Sequence, residues 1–119
     1  MKVLIVDDNR NISTIIKMMI EKENHQVLTA LDGKSGYLAY LEFRPDLVLT
    51  DIQMPGKNGF ELMAEIRKHK PSIKTIYMTG NMGRFMSRLI EERDKHRAGF
   101  IRKPFSRAEL VEMLSDLPV

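Results

Sequence analysis

Val3-Leu4-Ile5-Val6-Asp7-Asp8 is the stretch that decides the fold. Four consecutive β-favouring apolar residues leave no polar side, so such a strand has to be covered on both faces, as in a parallel sheet flanked by helices. The run stops on two carboxylates and the period then changes. Ile12, Ile15, Ile16, Met19 and Ile20 recur at the spacing of one helical face, with Asn9 or Asn11 placed to cap it.

Reading outward, the alternation repeats. Gln26 to Ala30 reads as a strand and Asp32-Gly33 as a turn. Residues 34–43 read as a helix carrying Tyr37, Tyr40 and Leu41, stopped at Arg44-Pro45 because the residue before proline avoids helical dihedrals. Leu47-Val48-Leu49-Thr50-Asp51 is a third strand that again ends on a carboxylate. Beyond Met54-Pro55-Gly56 and Asn58-Gly59, a helix turns Leu62, Met63 and Ile66 inward and ends at Lys70-Pro71. Ile73 to Thr79 is a fourth strand, followed by Gly80. Residues 82–97 form a charged helix with an apolar stripe of Met82, Phe85, Met86, Leu89 and Ile90, and Gly99 to Arg102 is a short fifth strand. Ser106 and Glu109 make a capping box for a last helix whose buried side is Leu110, Met113, Leu114 and Leu117, with Leu117-Pro118-Val119 ending it. Five strands alternating with five helices predict an α/β architecture with right-handed crossovers and helices on both faces. The pattern is expected to be one domain over residues 1–119, without linker, repeat or output domain.

Composition narrows the function classes. The 119 residues are 43% apolar and 29% charged, sufficient for a core and a solvated surface. The absence of cysteine excludes disulfide scaffolds, thiolate metal sites and a cysteine nucleophile. The longest apolar run, Tyr37 to Leu41, is far short of the ~20 residues a membrane helix needs. The first residues are too short and too acidic for a signal peptide, so a cytoplasmic location and no membrane contact are expected. The net charge of +3 is uneven: residues 1–60 carry 7 Lys/Arg against 8 Asp/Glu, and residues 61–119 carry 12 against 8. A basic half can attract nucleic acid or an acidic partner. Here bases alternate with acids and no recognition-helix module is present, which speaks against direct nucleic-acid binding.

Ligand sites in open α/β sheets lie beyond the carboxyl ends of the strands. Those ends carry Asp7-Asp8, Asp51, Thr79 and Lys103. Singly each has an ordinary reading: a helix cap, a strand threonine, a solvated lysine. Together, three carboxylates repel one another and a divalent cation relieves that repulsion. The donors are all oxygen, which suits Mg²⁺. A carboxylate can also act as a phosphoryl nucleophile, with the metal and Lys103 neutralising the transferred oxygens and Thr79 hydrogen-bonding one of them.

These motifs, Val6-Asp7-Asp8, Thr50-Asp51-Ile52-Gln53-Met54-Pro55-Gly56 with Asn58-Gly59, Thr79-Gly80 and Lys103-Pro104-Phe105, run the length of the chain in order. The sequence resembles a response-regulator receiver domain of two-component (phosphorelay) signalling. The resemblance implies a flavodoxin-like, doubly wound parallel sheet of order 2-1-3-4-5. It implies that Asp51 is phosphorylated by a phosphohistidine on a histidine kinase or histidine phosphotransfer protein, with Asp51, Thr79 and Lys103 as the reacting set. It implies Mg²⁺ held by Asp8 directly, by Asp7 through water, by Asp51 and by the Gln53 carbonyl. Thr79 and Phe100 resemble the family's switch pair, and the peptide before Pro104 is expected to be cis, aiming Lys103 into the site. The surface of the 82–97 helix, the fifth strand and the last helix would then regulate an output partner, at its outward arginines, with only self-directed chemistry rather than enzymatic turnover.

Three departures accompany the resemblance. Gly80 stands where alanine is usual, which loosens the following loop. The stretch from Thr79 to Lys103 is a residue or two long, and the 82–97 helix or its exit loop has to absorb the excess. Phe100 has no hydroxyl, so its switch can act only through packing. Residues 96–102 also lack the acidic residues of the winged-helix subfamily, against that subfamily's symmetric dimer. Two other functions would draw on the same residues. A haloacid-dehalogenase-type phosphatase needs Asp-x-Asp after the first strand, whereas Asp7-Asp8 is adjacent and no cap insertion exists. A degenerate receiver acting by binding alone is opposed by the retention of all five site positions.

Overall fold

The β-rich apolar runs at 3–6, 47–50 and 75–79 become strands and the 3.6-period segments become helices, the apolar run Tyr37 to Leu41 among them, and each helix supplies one face to cover the sheet. The computed structural model describes residues 1–116. The elements are β1 (Lys2–Val6), α1 (Arg10–Glu21), β2 (Gln26–Ala30), α2 (Gly33–Phe43), β3 (Leu47–Asp51), α3 (Gly59–Arg67), β4 (Lys74–Thr79), α4 (Met82–His96), β5 (Gly99–Arg102) and α5 (Arg107–Ser115). The sheet order is β2-β1-β3-β4-β5 and every pairing is parallel. This is the flavodoxin-like topology expected from the sequence.

Strand alternation divides the interior into two layers. Leu4, Val6, Val48 and Tyr77 face one side and meet Tyr40, Phe60, Leu62, Met63, Ile66, Met82 and Leu89 from α2, α3 and α4. Val3, Ile5, Leu47, Leu49, Ile76, Met78 and Ile101 face the other and meet Ile16, Ile20, Leu110 and Leu114 from α1 and α5. Asn9 rather than Asn11 caps α1, its side chain accepting from the Ile12 N–H. Asn58 and Ser106 close full capping boxes on α3 and α5.

Several boundaries and facings differ from the sequence reading. α3 ends at Arg67, before Lys70, because the Lys68 N–H turns back to the Glu65 carbonyl and the amides of His69 and Lys70 both bond Ile66. β4 begins at Lys74, Ile73 being tied to the Lys70 carbonyl instead. Ile15, placed on the inner face of α1, is 53% exposed, whereas Ser13 is buried there. Leu41 and Ile90 also face outward, each one residue (about 100° of helix turn) from the buried Tyr40 and Leu89. α4 runs to His96 and closes on Arg97 in the left-handed conformation. Met113 is partly buried, and Leu117 lies outside the described residues.

α3 starts in close contact with the end of β3. A Cβ on Gly59 would stand 2.3 Å from the Asp51 carbonyl oxygen, a backbone atom that cannot swing aside. Gly59→Ala is therefore expected to cost about 1–3 kcal/mol, the range for overpacking, read as a lower urea midpoint at unchanged m-value. An unchanged midpoint would show that α3 shifts freely against β3.

Candidate functional site

The carboxyl ends of β1, β3, β4 and β5 bring the expected residues to one edge. Asp7 follows β1, and its backbone N–H extends the pairing to β2 by bonding the Ala30 carbonyl. Its side chain is completely buried: Oδ1 accepts from the Asn9 N–H at 2.9 Å and Oδ2 from Lys103 Nζ at 2.6 Å. Asp51 closes β3, with Oδ1 accepting from the Ile52 N–H at 3.0 Å and Oδ2 from Lys103 Nζ at 3.2 Å. Asp8 is exposed beside them. The three aspartates offer oxygens that all lie within 4.8 Å of one another. An all-oxygen cluster of this kind, with one member buried and one open to water, suits a hard divalent cation that keeps part of its hydration.

Lys103 is carried in by the end of β5. Its N–H bonds the Thr79 carbonyl at 2.9 Å, and the Lys103–Pro104 peptide is cis. Thr79 is buried at the end of β4, its Oγ1 accepting the Asn81 N–H at 3.0 Å. Phe100 pairs in register with Tyr77, is half-buried and packs on the α2–α3–α4 side of the sheet. Gln53 is exposed and lines a groove with Met54, Pro55, Asn58, Arg84 and Phe85. Asp7, Asp8, Asp51 and Lys103 are thus one cluster. Thr79 adjoins it through backbone, and Phe100 sits in the neighbouring strand.

The electrostatics follow from burial and neighbours. Burial raises the Asp51 carboxyl above its ordinary value; Lys103 opposes this, while the charges of Asp7 and Asp8 add to it. For Lys103, burial works downward, but the Asp7 hydrogen bond and the Asp51 charge outweigh it and hold the ammonium above its usual value.

One polar network was missed by sequence reasoning. Glu92 of α4 is buried, with Oε1 accepting from Arg67 Nη1 at 2.7 Å and from the Tyr77 hydroxyl. Burial would raise the Glu92 carboxyl, yet the Tyr77 and Arg67 hydrogen bonds bring it below its ordinary value. Burial, with Glu92 next, pushes the Tyr77 hydroxyl up. The available signal was spacing: Glu92 falls three residues after Leu89, on the apolar stripe of α4 rather than on its charged face.

Beside Lys103, a mainly apolar groove is formed by Ile12, Ile15, Ile16 and Met19 of α1 with Pro104 and Phe105. No helix is long and apolar enough to cross a membrane among the described residues.

Comparison with known proteins agrees with this layout. The response regulator receiver domain family matches residues 3–115. NtrX from Brucella abortus is 27% identical with a TM-score of 0.85 over 96% of this chain and 25% of that chain, so the chain spans about a quarter of NtrX. A CheY-like response regulator receiver domain protein from Methanospirillum hungatei is 28% identical with a TM-score of 0.85, covering 97% of this chain and 90% of that one. The Vibrio cholerae chemotaxis protein CheY4 shares the fold with a TM-score of 0.88 at 24% identity, over 98% of both chains.

The raised Asp51 carboxyl sets a pH dependence. Folded Asp51 holds its proton more readily than the unfolded residue, so stability falls as pH rises from 3.8 through the raised folded value. In metal-free buffer, Asp51→Asn should unfold at higher urea than the parent at pH 7, with the gap closing below pH 3.8. Lys103 remains paired with Asp7 in that variant, and its own contribution is lost only as pH climbs from 10.5 through its raised folded value. A variant less stable than the parent at pH 7 would show that the Asp51–Lys103 attraction exceeds the burial cost.

Proposed function

This chain belongs to the response regulator receiver domain family, and from that premise we propose that it is a cytoplasmic phospho-accepting switch with Asp51 as its acceptor. The observation that carries the reading is Lys103 Nζ bonded to both Asp7 and Asp51, the latter being, among the described residues, the strand-end carboxylate that also faces the Asp7-Asp8 pair. A carboxylate oxygen of Asp51 attacks phosphorus of a phosphohistidine whose other ring nitrogen is protonated, the P–N bond breaks with its electron pair going to nitrogen, and the ring leaves as neutral imidazole. Water later attacks phosphorus of the acyl phosphate, releasing inorganic phosphate and restoring the carboxylate. The protein alters only itself in this cycle and turns over no other substrate.

Asp7, Asp8, Asp51 and the Gln53 carbonyl would hold Mg²⁺, which when bound supplies positive charge against the carboxylates and the phosphoryl oxygens. Lys103 is already placed to pair with those oxygens once Asp51 carries them. Gln53 and Asn81, both exposed, flank the approach of the hydrolytic water and set the lifetime of the phosphorylated form.

The groove between α1 and Pro104-Phe105 supports the choice of donor. Ile15, more than half exposed on α1, lines that groove together with Lys103, the lysine that reaches the acceptor, and Met18 on the same helix is equally exposed. An apolar helix face of a histidine kinase or histidine phosphotransfer protein, presenting its phosphohistidine toward Asp51, fits that surface. The output surface is assigned to α4, β5 and α5, where Arg84, Arg88, Arg93 and Arg102 are exposed and suit an acidic partner.

Magnitudes bear on how the switch is driven. Burying a fully exposed phenylalanine yields about 1.5–3 kcal/mol, and Phe100 starts half-buried. Inverting a 1:99 equilibrium takes about 5.5 kcal/mol. The phosphoryl contacts of Thr79 and Lys103 therefore have to supply most of the drive.

Incubation with Mg²⁺ and acetyl phosphate should place one phosphoryl group on Asp51, located by peptide mass spectrometry. Lys103→Met should slow the reaction about 10²-fold, the scale for losing one transition-state charge partner. Thr79→Ala should still be modified but lose the amide shifts of residues 82–107. An Asp51→Asn protein that gains a base-labile phosphate at the parent rate defeats the assignment. Separately, Mg²⁺ at ten times its Kd should add about 1.4 kcal/mol to stability. Asp8→Ala should remove that gain in thermal denaturation, and retention of the gain would exclude Asp8 as a ligand.

A further inference from the structure

The edge of the sheet opposite Asp51 carries a cleft that the phosphorylation cycle does not use. It forms where the turn after α3, the start of β4 and the end of α4 meet, and its volume is about 640 Å³. Asp46 on its rim and Asp51 stand at opposite ends of β3, about 17 Å apart at the rise of a strand. Lys70, Lys74, Lys95 and Arg97 line it against one carboxylate, Asp46, whose Oδ2 already accepts from the Lys2 N–H at 2.8 Å. Lys95 pairs with Glu91 at 3.1 Å. Among the described residues, Lys70, Lys74 and Arg97 make no ion pair. Lys74 is half-buried, so its charge is partly removed from water and an anion beside it is held more strongly than at an open surface. A second cleft of about 420 Å³, between α2 and the same turn, shares Lys70 and adds Arg44.

Backbone strain marks the same place. Among the described residues, Asn24, Arg44 and Arg97 are the non-glycine residues with positive φ. Asparagine tolerates this conformation after a helix, whereas an arginine is strained there and glycine is the usual choice. Both arginines, at φ 49° and 57°, line these two clefts. Bases in the last turn of a helix ordinarily answer its dipole, and Lys95 and His96 serve α4 in that way. That role does not account for Lys70, three residues beyond α3, for Lys74 on β4, or for arginine in place of glycine at 97.

We infer that this cleft binds a chain of linked phosphates, free or as part of a nucleotide, at a site separate from Asp51. Guanidinium forks and ammonium groups both pair with phosphate oxygens. Linked phosphates place several charges within the span of one small-molecule cleft, which the spaced carboxylates of an acidic peptide do not. A nucleic-acid duplex spreads its phosphates along a surface, whereas these cations are gathered around a cavity. The second cleft adds apolar walls from Tyr40, Leu41 and Pro45, against which the base of a nucleotide can lie.

The test is calorimetric titration of the full, unphosphorylated chain with sodium tripolyphosphate and, separately, with ATP. EDTA is present so that no metal brings phosphate to Asp51. Both ligands should bind, with amide shifts at residues 44–46, 70–74 and 95–98 and none at 7–8, 51–53 or 103. Equal affinity assigns the free phosphate chain, and tighter ATP assigns the nucleotide. Arg97→Gly should weaken binding about tenfold or more, the scale of one lost charge-assisted bond. The same variant should raise the urea midpoint, because glycine relieves the strained position. Lys74→Gln leaves the helix end alone and should weaken binding comparably, while Asp51→Asn should bind as the parent does. Absence of heat and shifts with both ligands at low salt, shifts centred on Lys103, or parent affinity in both Arg97→Gly and Lys74→Gln overturns the site. Tighter binding of random-sequence duplex DNA or of polyglutamate at the same salt also overturns it.

Discussion

A single ammonium held between two carboxylates organises the functional edge of this protein. Lys103 arrives from β5, crosses the end of β4 by bonding the Thr79 carbonyl, and reaches Asp51 of β3 and Asp7 beyond β1. Without that charge, a wholly buried Asp7 and a largely buried Asp51 would face each other as unscreened anions. The strand order makes the bridge possible, because β1 and β3 are neighbours and β4 and β5 lie outward on the same side. The lack of a Cβ on Gly59 lets α3 start against the Asp51 carbonyl at the end of β3. Charge neutralisation, strand order and one glycine are parts of the same constraint.

The strands and their polar ends were legible because both signals are local. An unbroken apolar run marks a strand covered on two faces, and a carboxylate immediately after it stands at the sheet edge whatever the helices do. Facing on the helices was less legible. Periodicity gives the centre of an apolar arc and not its width, so Ile15, Leu41 and Ile90 were read as inward although the sheet covers only their neighbours Ile16, Tyr40 and Leu89. The end of α3 was misplaced because Pro71 marks the latest point at which a helix can stop, while the actual stop came from backbone bonds closing on Ile66.

Glu92 shows a different limit. Its helix is rich in charge, and a carboxylate there reads by default as solvated. What makes it buried is a pair of partners far away in the sequence, Arg67 and Tyr77, neither of which is chemically unusual by itself. The position on the stripe was visible; the partners that make a buried charge tolerable were a property of the fold.

The two-layer interior has a further consequence. α1, with its exposed Ile15 and Met18, belongs to one layer, and α4 to the other, with the sheet between them. On the proposed assignment, the donor docks on one side of the sheet and the reporting helix lies on the other. α4 belongs to a different core cluster from the donor groove, whereas α5, the other helix of the output surface, packs in the same layer as α1. Substitutions on α1 that re-address the domain to a different donor are thereby insulated from those on α4 that re-address it to a different listener, but not from those on α5. A duplicated copy of such a domain can diverge at its donor face and at α4 as two separate evolutionary problems, with α5 the element where they meet.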